Sequence, residues 1–286
     1  MKHLAFWAAF PFVLLTRYFK AFVLIILLFA LMSFGTKPLN NLEGNLAEIK
    51  LMGMILNSHA LIKQIENLRE DSSIAGVLLV VDSPGGALSP SVEIYEELKR
   101  LAAKKPLVVY AQGTLASGSY YAALGAQHII ANKGAIIGSI GVIFEGIDVS
   151  ELIAKLGIRP QILKAGQLKE AGTIMRAWND EERNEIEELL MRQYDMFVTD
   201  VCTARRIDCA QKERFAEGRI FDSARALKLG LIDSIGTKND AKKELIALSG
   251  VEFAQWVEIE ESNIIWNALQ GSLRAFVWNL FGIMGR

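Results

Sequence analysis

Three hydroxyls crowd one short stretch. Thr114, Ser117 and Ser119 stand in TLASGSYYAAL (114–124), with Gly118 between the two serines. A hydroxyl becomes a nucleophile when a base takes its proton and donors hold the oxyanion that develops. The stretch follows the apolar run PLVVYAQ (106–112), so it reads as a strand passing into a short helix. Taken alone, a serine at a helix start is a cap. In VDSPGGALSP (81–90), Pro84 removes a donor, while Gly85 and Gly86 let the backbone turn where a side chain could not follow. Taken alone, that too is a plain turn. Both motifs end apolar runs, and ligands of open α/β sheets collect at the carboxyl ends of strands. If the two strands are neighbours, the Ser117 hydroxyl lies near two N–H groups suited to an oxyanion.

The base is the discriminating question. Only His3, His59 and His128 are present, a poor supply for a Ser-His-Asp triad. A lysine desolvated toward neutrality can replace histidine. LKAGQLKEAG (163–172) offers Lys164 and Lys169 in a glycine-containing loop, although any single lysine also has an ordinary surface role.

The elements that must position these residues alternate. LAEIKLMGMI (46–55), IAGVLLVVD (74–82) and PLVVYAQ read as strands, the last two buried on both faces. HALIKQIENLRED (59–71) and SPSVEIYEELKRLAA (89–103) read as helices, and SGSYYAALGA as a short one. HIIAN and IIGSIGVI give short strands, DVSELIAKLG (148–157) a helix, and PQILKAG (160–166) a strand and turn. A long helix spans 179–206, capped by Asn179 or Asp180, and further helices span 222–230 and 238–250. This alternation predicts an α/β fold with a mostly parallel sheet and right-handed crossovers.

The chain of 286 residues carries 31 Lys plus Arg against 32 Asp plus Glu, which argues against a nucleic-acid partner. Its 51% apolar content concentrates at the ends. Ala21 to Thr36 carries no charge; as helix it spans roughly 24 Å, and Tyr18, Phe19 and a snorkelling Lys20 extend it toward a bilayer core of ~30 Å. Residues 1–36 therefore read as a membrane anchor, with a cleaved signal segment as the rival. Lys2, Arg17 and Lys20 before the span keep the N-terminus inside and put the body outside. Residues 37–45 form a connector, 46–250 the α/β domain, and 251–286 a C-terminal extension. In that extension Ile265, Trp266, Leu269, Leu273, Phe276, Val277, Leu280 and Phe281 fall on one helical stripe, suited to packing on protein or to a membrane surface. Cys202 and Cys209 could pair outside the cytoplasm, but two unpaired thiols is the plainer reading. No metal site and no cofactor is expected.

Taken together, VDSPGG, ASGSYY, GSIGV, KAGQLKEAG and GRIFDSARALKLGLIDSIG, in this order and spacing, resemble bacterial signal peptide peptidase A in its short, single-repeat form. The similarity covers about residues 46–240. It implies a Clp protease/crotonase-like fold, a repeated ββα-type superhelix, behind an N-terminal transmembrane helix. It implies a membrane-anchored serine endopeptidase in which Ser117 is the nucleophile, Lys169 the general base and Ser139 the residue orienting the lysine. Gly85 or Gly86, with the amide of Gly118, would form the oxyanion hole, leaving Lys164 a bystander. Implied partners are released signal peptides and other hydrophobic peptides, held extended in grooves between subunits of a homo-oligomer, with dyad partners that could come from adjacent subunits. The implied location is the bacterial inner membrane, single-pass, with the catalytic body on the periplasmic side. Alternatives are a Ser-Lys protease for one membrane protein, a non-catalytic peptide-binding scaffold, and a crotonase-like acyl-CoA enzyme. The chain departs from the family in having Ser119 where glycine is usual; a hydroxymethyl there could narrow the oxyanion site or add a donor to it.

Overall fold

The computed structural model describes residues 44–259; the anchor segment and the apolar C-terminal stripe lie outside them. The apolar runs become the centre of a sheet. Strands β1 (Leu46–Ile55), β2 (Gly76–Gly86) and β3 (Leu107–Ala116) run parallel, and Val77 to Val81 in the middle strand are almost fully buried. A strand covered on both faces has no polar face to show, which is why the sequence here is continuous rather than alternating.

β3 then changes neighbours. Its first half, Val108–Ala111, pairs in parallel with β4 (His128–Ala131), and Thr114–Ala116 pairs with β5 (Ile136–Gly138). The strand is therefore longer than the apolar run suggests. β6 (Ile220–Asp222) pairs antiparallel with β5 at one edge, β7 (Ser234–Ile235) pairs with β4, and β8 (Trp256–Glu258) lies parallel to β1 at the other edge.

Side chains of a strand alternate between faces. Leu78, Val80, Val108 and Tyr110 meet Ala241 and Leu245 of helix α8 (Lys238–Ser249) in one core cluster. Against the sheet also pack α1 (His59–Glu70), α2 (Leu88–Ala102) and α3 (Gly118–Ala123). α4 (Ser150–Lys155) is short. α5 (Asp180–Arg205) is long, begins with a capping box between Asn179 and Glu182, and is followed by α6 (Lys212–Phe215) and α7 (Ser223–Lys228).

Cys202 of α5 is joined to Cys209 by a disulfide, with Cα atoms 5.6 Å apart. Unpaired thiols, the plainer sequence reading, are thus replaced by a bridge. The strand expected over 160–166 does not form. Ile162 and Leu163 there are exposed, and no neighbouring strand takes their backbone bonds. IIGSIGVI keeps strand only at Ile136–Gly138, and the helix of 148–157 shrinks to Ser150–Lys155. Among the described residues no helix is long and apolar enough to cross a membrane.

Candidate active site

Ser117 joins β3 to α3 with φ 53° and ψ −126°. A non-glycine residue in that region costs about 1–3 kcal/mol and persists only where its surroundings over-determine it. Here they do. The Ser117 N–H donates to the Gly138 carbonyl at 2.8 Å, and its carbonyl accepts from the Tyr121 N–H at 3.0 Å. The Tyr120 hydroxyl donates to the Leu231 carbonyl at 2.8 Å, and the Tyr121 hydroxyl donates to Asp200 on α5. Burial pushes both phenols well above their ordinary range, and Asp200 pushes Tyr121 further. The short helix is thus pinned at both buried rings. The Ser117 side chain is half-buried, and its hydroxyl bonds no partner among the described residues.

The glycine turn presses against this elbow. Gly85 has φ +93°, and a Cβ on it would lie 2.5 Å from the Gly118 nitrogen and 2.8 Å from the Ser117 Cβ. A Cβ on Gly118 would lie 2.2 Å from Ser91 Oγ and 3.3 Å from the Gly86 nitrogen. Both positions need glycine because segments distant in sequence meet there. The Gly85 N–H already donates to Ser83 Oγ at 3.2 Å. The Ala87 N–H donates to the Ile55 carbonyl at 2.8 Å; by the alternation of a parallel ladder, the Gly86 N–H then faces away from β1. The Gly118 N–H, in the first turn of α3, has no backbone acceptor among the described residues, as expected at a helix start. Asp82 supports the bulge between β2 and β3. It accepts from the Thr114 N–H at 2.8 Å and fills the space a Gly113 Cβ would need.

Ser139, with φ 50°, follows the residue whose carbonyl holds Ser117 and donates its own N–H to Arg219 at 2.7 Å. Ser117, Gly118, Gly85, Gly86 and Ser139 are therefore neighbours. Lys169 is not brought into hydrogen-bond contact with them. It stands exposed in a turn closed by its own N–H on the Gly166 carbonyl at 3.2 Å, and the described residues do not bury it. Lys164 pairs with Glu170 at 3.2 Å. Arg176 links Glu170, at 2.9 Å, to buried Glu182, at 2.6 Å. His128 faces Glu244 at 2.8 Å, and His59 opens α1. Among the described residues no group of three His, Cys, Asp or Glu gathers to hold a metal.

Ser119 corrects the expectation attached to it. Its side chain is fully buried and turns inward. It accepts from the Ala116 N–H at 2.9 Å and donates to the Ser83 carbonyl at 2.7 Å. It neither narrows the site nor offers it a donor. Sequence reasoning also missed Ser91 and Asp82; the one available signal was their closeness to the glycines, which becomes meaningful only once the strands are paired.

The model of peptidase family S49 matches residues 99–252, and that of Clp protease matches residues 45–133. A protein of Methanocaldococcus jannaschii named as a protease is 38% identical over 197 residues, 69% of this chain and 63% of its own length. A protein of Enterococcus faecium carrying the name signal peptide peptidase SppA is 37% identical over 192 residues, 66% of this chain and 55% of its own. The chain thus spans less than two thirds of these relatives. Among solved structures, the membrane-bound stomatin-specific protease 1510-N is similar with a TM-score of 0.50 at 16% identity, over 78% of this chain and 100% of that one. That likeness is one of fold, and with the Clp protease match it makes the α/β body Clp-like.

Proposed function

From the premise that the chain belongs to peptidase family S49 and is a serine peptidase, we propose that it is a membrane-anchored Ser-Lys endopeptidase that degrades released signal peptides and other hydrophobic peptides. The observation that carries this reading is the contrast among three serines. Ser83 and Ser119 are fully buried with engaged hydroxyls, whereas Ser117 is only half-buried, its hydroxyl bonds no partner among the described residues, and it sits on a strained elbow beside the Gly118 N–H. Neutral Lys169 takes the Ser117 proton as the oxygen attacks the peptide carbonyl. The Gly118 and Gly86 N–H groups receive the oxyanion, and the lysine returns the proton to the leaving amine. Water, activated by the same lysine, then releases the acyl-enzyme. Ser139 orients the ammonium.

Lys169 reaches Ser117 from a neighbouring subunit in this reading. Its exposure supports that, as do the exposed apolar residues of the same stretch of chain: Ile143, Ile147, Leu152, Leu156, Leu163 and Ile174. Residues 21–36 anchor the chain in the bacterial inner membrane with the body on the outer side. The Cys202–Cys209 disulfide supports an oxidising compartment.

Mixing tests both ideas. Ser117→Ala and Lys169→Ala, each as full chain in detergent, are expected to lose activity on a synthetic signal peptide on the order of 10³-fold or more. Mixed and reassembled, the two inactive variants recover activity if the dyad forms across subunits. Full activity in Ser117→Ala alone ends the nucleophile assignment. Inactive single variants with no recovery on mixing leave the dyad but place both partners in one chain.

A further inference from the structure

The Ser119 side chain is an ordinary helix cap by residue type but not by geometry. A capping hydroxyl accepts from an N–H inside the helix it starts. Ser119 lies inside α3 and reaches backward: its oxygen accepts from the Ala116 N–H, the last residue of β3, at 2.9 Å. Its single proton has two carbonyls in range, Ser83 at 2.7 Å and Ala116 at 2.9 Å. The shorter contact crosses to the end of β2, 36 residues away in sequence. The hydroxyl is thus bonded on one side to the residue before the nucleophile and on the other to the residue that starts the Pro84-Gly85-Gly86 turn.

Resting on the assignment of Ser117 as nucleophile, we infer that Ser119 is a positioning residue whose buried clasp on Ser83 and Ala116 fixes the spacing between the Gly86 and Gly118 N–H groups. The two donors are carried by different elements: Gly86 ends β2, and Gly118 opens α3 just beyond β3. The β2–β3 ladder breaks between Val81 and Ser83, where the register shifts. The ladder resumes with the single pair Ser83 and Leu115 and gives no further pairing beyond it, so strand bonding does not extend to the turn and the elbow themselves. Asp82 bridges the break on its exposed side through Thr114, and Ser119 bridges it on the buried side. The strained Ser117, at φ 53°, directly follows the clasped Ala116, so the clasp joins the bonds to Gly138 and Tyr121 in holding it. A transition-state oxyanion needs donors at 2.7–3.1 Å in fixed directions, whereas an extended peptide is bound along its whole length and is insensitive to a small shift at one point.

The consequence is a separation between ground-state and transition-state binding. In the full chain in detergent, Ser119→Ala is expected to lower kcat at least tenfold with KM within about twofold. Inhibition by a peptide boronic acid, which mimics the tetrahedral state, should weaken by the same factor as kcat. Affinity for the uncleaved peptide, measured in the Ser117→Ala background with and without Ser119→Ala, should change less than twofold. Ser119→Gly, which removes the clasp without adding bulk, is run beside it, with thermal unfolding as the folding control, and is expected to behave alike. Wild-type kcat and boronate inhibition in either folded variant overturn the inference. So does an equal loss of peptide affinity and boronate affinity, which is general loosening of the groove. An active Ser117→Ala protein takes the inference down together with the nucleophile assignment, whereas failure of Ser119 alone leaves that assignment standing.

Discussion

Ser117 and Ser119 sit two residues apart with the same side chain, and the fold sends one outward and the other into the core. Their types and spacing were readable in the sequence; their directions were not, because Ser119 is turned inward by a carbonyl from a separate strand. Gly118 shows the same limit. The sequence marks it as a turn residue, but what demands glycine is Ser91 on α2, whose hydroxyl occupies the place of a Cβ. Gly118→Ala should therefore cost at least tenfold in kcat/KM. Gly118→Ala combined with Ser91→Ala should recover part of that loss, because contacting residues couple. Steady-state kinetics on the two single variants and the double variant measure the coupling, and strict additivity would refute the contact. Lys169 marks the opposite limit: motif resemblance singles it out, yet nothing among the described residues seats it against Ser117.

At the scale of elements, the central strands and the long helices were legible because continuous apolar runs and 3.6-residue spacing survive any tertiary context. Segment 141–178 was not, since the described residues leave most of its large apolar side chains exposed and only a short helix forms there. Beside the packing of Phe144 on Trp178, charge helps to order it. The Arg176 guanidinium, followed by the Asn179 N–H, holds the buried Glu182 carboxyl at about 2, from an ordinary 4.5. A carboxyl lowered on folding adds stability that is complete above its ordinary value and is lost as pH falls toward the folded one. The melting temperature should accordingly fall from about pH 4.5 toward 2. Glu182→Gln should start lower at neutral pH and show a shallower fall, checked by thermal unfolding across that range; an unchanged slope would exclude Glu182 as a contributor. At the other end of α5, the Cys202–Cys209 bridge closes a short loop. Removing it with paired serines should cost about 2 kcal/mol, read as a lower midpoint in denaturant titration under non-reducing conditions.

At the scale of the whole molecule, residues 44–259 present apolar side chains that nothing among the described residues covers. Ile143, Ile147, Leu156 and Leu163 are all more than half exposed, Leu163 completely. Patches of that kind mark interfaces, and the dyad proposed across subunits would make this one a condition of activity. Leu163→Asp with Ile147→Asp should lower the mass measured by light scattering to that of a smaller assembly and abolish peptidase activity. Full activity in a dissociated protein would show that a single chain completes its own dyad.

The edge of the sheet holds a last consequence. β8 lies beside β1 with Trp256 opposite Leu46 and Glu258 opposite Glu48, and the Asn45 N–H donates to the Gln255 carbonyl at 2.9 Å. The first and last residues of the body, separated by the whole fold in sequence, are adjacent in space. Joining Ile259 back to Gly44 needs to span only a few residues of strand, about 13–17 Å at 3.3 Å per residue, so a linker of roughly six residues suffices. The body is thus suited to circular permutation. New ends opened in the exposed segment near Gly157 would detach the catalytic fold from its natural order of synthesis while leaving β1, β2 and β3 uncut.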